Sequence, residues 1–209
     1  MTRVMRRVVG LLAVVAACFA GPACLKRPET IPGRMLEPQL LEPEMPGPAQ
    51  SATPSTGAAP IRLLDTQARA HIGRRLLRQE PSGELIEDPV WRWSSAPDRY
   101  LDTALRLELA SNPALRLVDS ASAPTLATTL LVWDLESASG TQLVGAVEFE
   151  FTGTDRAVPT HVVRGREPIS SELPGDLPAA SGRLLRRLAL EGLTRVAGEE
   201  KQQGTGNRE

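Results

Sequence analysis

Few side chains in this sequence could perform acid–base or nucleophilic chemistry. His71 and His161 are the only histidines, and neither lies in a nucleophile elbow, a zincin pair or a glycine-rich phosphate loop. Glu148 and Glu150 fall on one face of a predicted strand, where such carboxylates more often serve solubility than acid–base work. We therefore expect no catalytic residue, no metal site and no cofactor. A Ser-His-Asp site that forms only in the folded chain is the alternative.

The two cysteines, Cys18 and Cys24, lie near the N-terminus, which leaves the rest of the chain without a thiol for a disulfide or a metal. Residues 1–17 have the layout of a bacterial signal peptide, with arginines before an apolar run of about 13 residues. A membrane-spanning helix needs roughly 20 such residues. The residues VAAC that end at Cys18 resemble a lipobox, so we predict acylation, as with palmitate, at Cys18. Cys24 and ordinary cleavage without acylation are the alternatives.

Composition divides the rest of the chain into three regions. Residues 18–60 are rich in proline, which predicts a tether that pairs with no strand and reaches on the order of 100 Å. Residues 61–198 predict one folded domain, and residues 199–209 a disordered tail. Phe19, where an aspartate would signal inner-membrane retention in similar Gram-negative lipoproteins, favours the periplasmic face of the outer membrane. The chain carries 24 basic and 25 acidic residues, which argues against a nucleic-acid partner.

Hydrophobic periodicity predicts the elements of the domain. Extended segments predict strands over 61–68, 74–79, 84–93, 115–119, 125–136, 141–152 and 160–166, and the turn residues 81–83 predict that the second and third form a hairpin. Alternation with period two is the evidence for the strand over 141–152. Residues with helical spacing predict helices over 96–110, capped by Ser94 or Ser95, and over 177–197. This order predicts an α+β fold, a mostly antiparallel sheet with two helices packed on one face.

Four residues are candidates for interaction. Trp91 and Trp93 share one face of an extended segment, either as core anchors or as an exposed contact with a partner. Arg74 and Arg75 begin a strand, where they either meet lipid phosphates or an acidic partner or are simply solvated. The arginines of the last helix present the same alternatives.

Several segments resemble one known family. They are the tract VWRWSSAP at residues 90–97 that leads into a helix, the residues IGRR at 72–75, the Trp133-Asp134 strand ending and the closing Leu/Arg helix. Over residues 61–198 they resemble the auxiliary lipoproteins of ABC-type lipid transport systems, the paraquat-inducible protein C type that accompanies MCE-domain proteins. Two features depart from that pattern, since the opening strand lacks aromatic residues and the proline-rich spacer is long.

This resemblance implies a non-enzymatic part of a system that moves lipid between the inner and outer membranes. It implies an MCE-domain protein or an ABC permease complex as partner, and homo-oligomeric rings for some members. A tethered hydrolase or a cell-wall-associated binding lipoprotein is the alternative function.

Overall fold

The computed structural model of the chain describes residues 32–40, 58–137, 140–153, 160–169 and 173–205. Within these residues, strands and helices form an α+β fold, as the sequence predicts. The strands are β1 (Arg34–Leu36), β2 (Ala59–Leu63), β3 (Gln67–Ala68), β4 (Arg75–Gln79), β5 (Leu85–Trp93), β6 (Leu115–Leu117), β7 (Thr125–Glu136), β8 (Gln142–Thr152) and β9 (His161–Pro168). The helices are α1 (Pro97–Ser111) and α2 (Leu177–Thr205).

The long strands β7 and β8 form the centre of the sheet. They pair antiparallel along their whole length, and β9 pairs antiparallel with the outer edge of β8. Alternate residues point into the core, among them Phe149 and Phe151, while Glu148 and Glu150 point to the opposite face. The alternation that predicted a strand over residues 141–152 is therefore confirmed, and strands also form at the predicted segments 125–136 and 160–166.

The other edge of β7 is shared by three short strands. β2, β3 and β4 pair in parallel with successive parts of β7, and Thr66 between β2 and β3 is hydrogen-bonded to Thr128 at 2.8 Å. β6 and β1 add further parallel pairs, with β2 and β5. The sheet is thus mixed, and the prediction of a mostly antiparallel sheet is wrong. Periodicity predicts that a segment is a strand but carries no information on its direction.

The hairpin of β4 and β5 forms as predicted around the turn at residues 81–83. Its register shifts between Arg75 and Leu77, opposite the part of β5 that contains Pro89, because proline lacks the N–H that a regular ladder needs. Asp88 stabilises this irregularity, since its Oδ1 accepts hydrogen bonds from the backbone N–H groups of Val90 (2.9 Å) and Trp91 (2.8 Å).

The start of α1 differs from its prediction. Ala96 is the N-cap and no side chain caps it, while Pro97 occupies the first helical position, where its fixed backbone angle suits a helix. Ser94 is hydrogen-bonded to the hydroxyl of Tyr100, and the same hydroxyl accepts a hydrogen bond from the backbone N–H of Ser95 at 2.8 Å. Both serines therefore bind the first turn of the helix through Tyr100.

Helix α2 packs closely on β8 and β9 because both strands present a glycine to it. A Cβ on Gly145 would lie 2.9 Å from Leu188, and one on Gly165 would lie 2.7 Å from Leu184. Helix α1 packs more on α2 than on any single strand. The prediction that two helices pack on one face of the sheet is therefore not confirmed for α1.

Residues 33–40 lie against the domain, within one compact unit with the rest of the described chain. β1 pairs with the end of β5, Leu36 is buried, and the backbone N–H of Gln39 donates to the carbonyl oxygen of Pro178 at 2.9 Å. The expectation that residues 18–60 pair with no strand is thus wrong for β1 and for the start of β2, because the prolines at 32 and 38 flank a strand of only three residues. No helix in the described part of the chain is long and apolar enough to span a membrane.

Candidate functional site

An open groove lies between β1, β4, β5 and the turn that precedes β4. Its volume is about 840 Å³, and we call it the arginine-lined groove. It is lined by Gly33, Met35, Ala70, His71, Gly73, Arg74, Arg75, Leu77, Leu85, Glu87 and Arg92. Apart from the buried Leu77, the strand residues among them are exposed, and Arg92 points to the sheet face opposite that of its neighbour Trp93, which is fully buried.

The strand register brings these side chains together. Arg75 of β4 is the cross-strand partner of Arg92 of β5, and Arg92 is also the partner of Met35 of β1. One pair further along, Leu77 faces Glu87. Directly opposed residues project from the same face of a sheet, so three strands contribute to one side of the groove.

The groove carries more positive than negative side chains. Arg75 forms an ion pair with Glu87, the only acidic residue in the lining, and the Nε of Arg74 donates to the carbonyl oxygen of Trp93 at 3.2 Å. Arg92 is exposed and forms no ion pair with the described residues. Like charges placed directly opposite in a sheet are destabilising. The Arg75–Arg92 pair therefore favours a bound anion.

Apolar side chains lie beside these arginines. Met35 is 55% exposed and Leu85 is 41% exposed, while Leu77 is buried beneath them. Exposed large side chains of this kind are unremarkable singly, but here they share a concave surface with cationic groups. The groove can therefore bind a molecule that is anionic at one end and apolar at the other.

A buried carboxylate lies near the groove. Asp134 of β7 is only 7% exposed, and burial raises the pKa of its carboxyl group; the negative charge of Glu136 raises it further, while the positive charge of His71 lowers it. Asp134 is thus a buried carboxylate whose charge interacts with His71 of the groove lining.

The structure separates the four interaction candidates. Arg74 and Arg75 line the groove. Trp93 is fully buried in the core, with its ring 5.9 Å from that of Trp133, and Trp91 is half-buried against the core with the guanidinium of Arg34 over its ring. Of the two readings of the tryptophans, the structure places Trp93 as a core anchor.

The remaining candidates do not come together. His71 lies in the groove lining, whereas His161 begins β9 opposite Phe149. Among the described residues, no cluster of three or more His, Cys, Asp or Glu side chains could hold a metal ion. Cys18 and Cys24 lie outside the described residues.

The arginines of α2 are occupied by partners within the domain. Arg186 forms an ion pair with the buried Glu108 at 2.8 Å, and both Arg183 and Arg187 form ion pairs with Glu167, at 2.7 and 3.2 Å. Their charges are thus compensated by glutamates of the same domain, which leaves them less suited to bind an external anion. The groove is the stronger candidate for an anion.

Sequence reasoning missed most of the groove. Met35 lies in a region that the sequence predicts to be a tether. Arg92 lies between the two candidate tryptophans but is not itself a predicted candidate. Regular alternation along β5 would put Arg92 and Glu87, which are five residues apart, on opposite faces of the sheet. They share a face because of the irregularity at Pro89, so Arg92 could have been identified only by anticipating that irregularity.

No family model and no curated protein matches the sequence. The fold is similar to that of a Xanthomonas campestris protein of family DUF330, with a TM-score of 0.61, 17% identity and coverage of 81% of this chain and 98% of that one. It is also similar to a hypothetical protein of Chlamydia trachomatis, with a TM-score of 0.50, 12% identity and coverage of 68% of this chain and 97% of that one. At these identities the likeness establishes that the chain shares their fold.

Proposed function

We infer that the chain is a non-enzymatic lipoprotein, acylated at Cys18 and held at the periplasmic face of the outer membrane. There it serves as an accessory component of an ABC- or MCE-type system that moves lipid between the two membranes. The proposal is supported by the lipobox-like residues before Cys18 and by the resemblance of residues 61–198 to auxiliary lipoproteins.

The observation that carries the proposal is the position of Gly33. It lines the arginine-lined groove, and the chain that continues from it towards the N-terminus reaches Cys18 within 15 residues. An extended chain spans about 3.3–3.6 Å per residue, so the groove lies at most about 50 Å from an acylated Cys18. This is half of the reach expected when residues 18–60 are treated as a free tether, so an anchor at Cys18 would confine the groove to within about 50 Å of the membrane surface.

Purification of the tagged, full-length protein from detergent-solubilised membranes tests the function. We expect an MCE-domain protein or an ABC permease to be recovered with it, and the mass of the purified species tests homo-oligomerisation. The control carries the same leader and tether on an unrelated soluble domain. Recovery of no such partner, or equal recovery with the control, would contradict the proposal.

Metabolic palmitate labelling tests the anchor separately. The wild type should be labelled and the Cys18→Ala variant should not. Label that persists in the variant would move the acylation to Cys24, and an unlabelled wild type would refute a lipid anchor.

A further inference from the structure

We propose that the arginine-lined groove binds an anionic phospholipid, with the phosphate against the arginines and the start of the acyl chains against Met35 and Leu85. This inference rests on one part of the proposed function, the lipid anchor that brings a membrane close to the domain. It names the class of lipid that the site selects.

The charges in the groove favour a phosphate. Arg75 and Arg92 are cross-strand partners, and Glu87 neutralises a single arginine of the lining through its ion pair with Arg75. Arg74 and Arg92 retain their charges uncompensated by another side chain of the lining. A guanidinium offers several N–H donors in a planar fork that matches phosphate oxygens.

The apolar part of the groove distinguishes a phospholipid from a free anion. Met35 and Leu85 leave large parts of their side chains exposed beside Arg92, where a phosphate alone would cover neither. Covering apolar surface is favourable by about 25 cal/mol per Å². A ligand with both a phosphate and acyl chains therefore gains from the two parts of the lining at once.

The size and position of the groove fit one lipid. Its volume of about 840 Å³ lies within the range of about 300–1,000 Å³ typical of small-molecule sites. Gly33 lies in its lining, 15 residues along the chain from Cys18, so acylation at Cys18 would limit the distance between the groove and the membrane to about 50 Å. Such tethering raises the effective concentration of the ligand.

Two substitutions alter the groove without touching the core. Arg92→Gln removes one exposed charge, and Gly73→Trp fills the groove, since a Cβ on Gly73 meets no atom within 4 Å. Arg164→Gln is the matched charge control, because Arg164 is exposed on β9 outside the groove. Gly198→Trp is the matched steric control, because the Cβ there also meets open space.

The experiment titrates the purified full-length protein, in non-ionic detergent, with dihexanoyl phosphatidylglycerol by isothermal calorimetry. We expect saturable binding that weakens about fivefold in Arg92→Gln, is lost in Gly73→Trp and is unchanged in both controls. Dihexanoyl phosphatidylcholine should bind at least fivefold more weakly, and glycerol 3-phosphate should bind weaker than either lipid.

Each other outcome overturns the proposal. Equal affinity for phosphatidylcholine would refute selection by charge, and equal affinity for glycerol 3-phosphate would indicate a free-anion site. Binding of an acidic peptide without binding of the lipid would indicate a protein ligand. Because this titration contains no transport partner, its failure leaves the recovery of an MCE-domain protein unaffected, and the converse also holds.

Discussion

Gly182 of α2 lies directly under the carbonyl group of Gln39, so close that a Cβ on Gly182 would overlap the Gln39 oxygen. The backbone N–H of Gln39 donates to the carbonyl oxygen of Pro178, one helical turn before Gly182. Together with the pairing of β1 and β5, this contact holds residues 33–40 on the domain, with Gly33 and Met35 in the groove lining.

Gly182→Ala should release this segment. Because the added methyl group cannot fit beneath the Gln39 carbonyl, we expect a loss of about 1–3 kcal/mol in the free energy of unfolding, despite the better helix propensity of alanine. Amide hydrogen exchange should become faster at Gln39 and at Ser94, whose N–H donates to the Leu36 carbonyl oxygen. Gly198→Ala, in open space on the same helix, is the control. Unchanged exchange at Gln39 would show that the segment is not held by this contact.

The sequence predicts those strands and turns whose pattern is contained within a single short stretch of the chain. Alternation over residues 141–152 and the turn at residues 81–83 each define a strand or a hairpin within a few residues of the chain. By contrast, β1 contains three residues between two prolines, and β3 contains two residues. No period can be read from so few positions, so these strands depend on partners that lie far along the chain.

The groove is less predictable than the fold because three segments form it. Arg74 and Arg75 are adjacent in the sequence and draw attention as a pair. Met35 and Arg92 join them only through the pairing of β1 with β5 and the register shift within the hairpin. Neither the pairing nor the register shift can be predicted from the sequence until the order of the strands in the sheet is known.

The two tryptophans of β5 should differ in their effect on stability. Trp93 is fully buried against Trp133, so Trp93→Ala leaves a large cavity and should cost about 3–5 kcal/mol in urea denaturation. Trp91 is half-buried under Arg34, so Trp91→Ala should cost about 1 kcal/mol. Equal costs for the two substitutions would contradict the packing described for β5.

Asp88 should stabilise the hairpin at neutral pH and lose this effect in acid. Burial alone would raise the pKa of its carboxyl group, but hydrogen bonds from the backbone N–H groups of Trp91 and Val90 and from Arg78 outweigh burial and lower it. A lowered pKa in the folded state means that stability is present above the unfolded value of 3.8 and is lost as the pH falls through the folded value.

We therefore expect Asp88→Asn to lower the free energy of unfolding by roughly 1.5–3 kcal/mol at pH 7, since charge-assisted hydrogen bonds are lost. The difference from the wild type should shrink in urea titrations below about pH 4. Asp102→Asn is a matched control, because its ion pair with Arg106 within α1 is more exposed and should be worth only about 0.3–0.5 kcal/mol. A loss independent of pH would exclude the charge as its cause.

Asp134 should have the opposite pH dependence. Burial and the charge of Glu136 raise its pKa above 3.8, so the folded state holds its proton more tightly than the unfolded state does. The free energy of unfolding consequently falls as the pH rises from 3.8 through the raised folded value, because the unfolded state then binds fewer protons than the folded state. At neutral pH the ionised carboxylate is a cost to stability, since burial removes the water that would solvate its charge.

Asp134→Asn should therefore raise the free energy of unfolding at pH 7, and this gain should disappear as the pH is lowered towards 3.8. Glu136→Gln tests the cause, because removing that negative charge should lower the pKa of Asp134 and shift the pH dependence of the wild type to lower pH. Urea denaturation of the three proteins between about pH 3 and pH 7 measures both effects, because the interval includes the unfolded pKa of 3.8. If Asp134→Asn is destabilising by the same amount throughout, the amide disrupts packing and the carboxylate is not held at a cost. If Glu136→Gln leaves the profile unchanged, burial alone accounts for the raised pKa beside the groove.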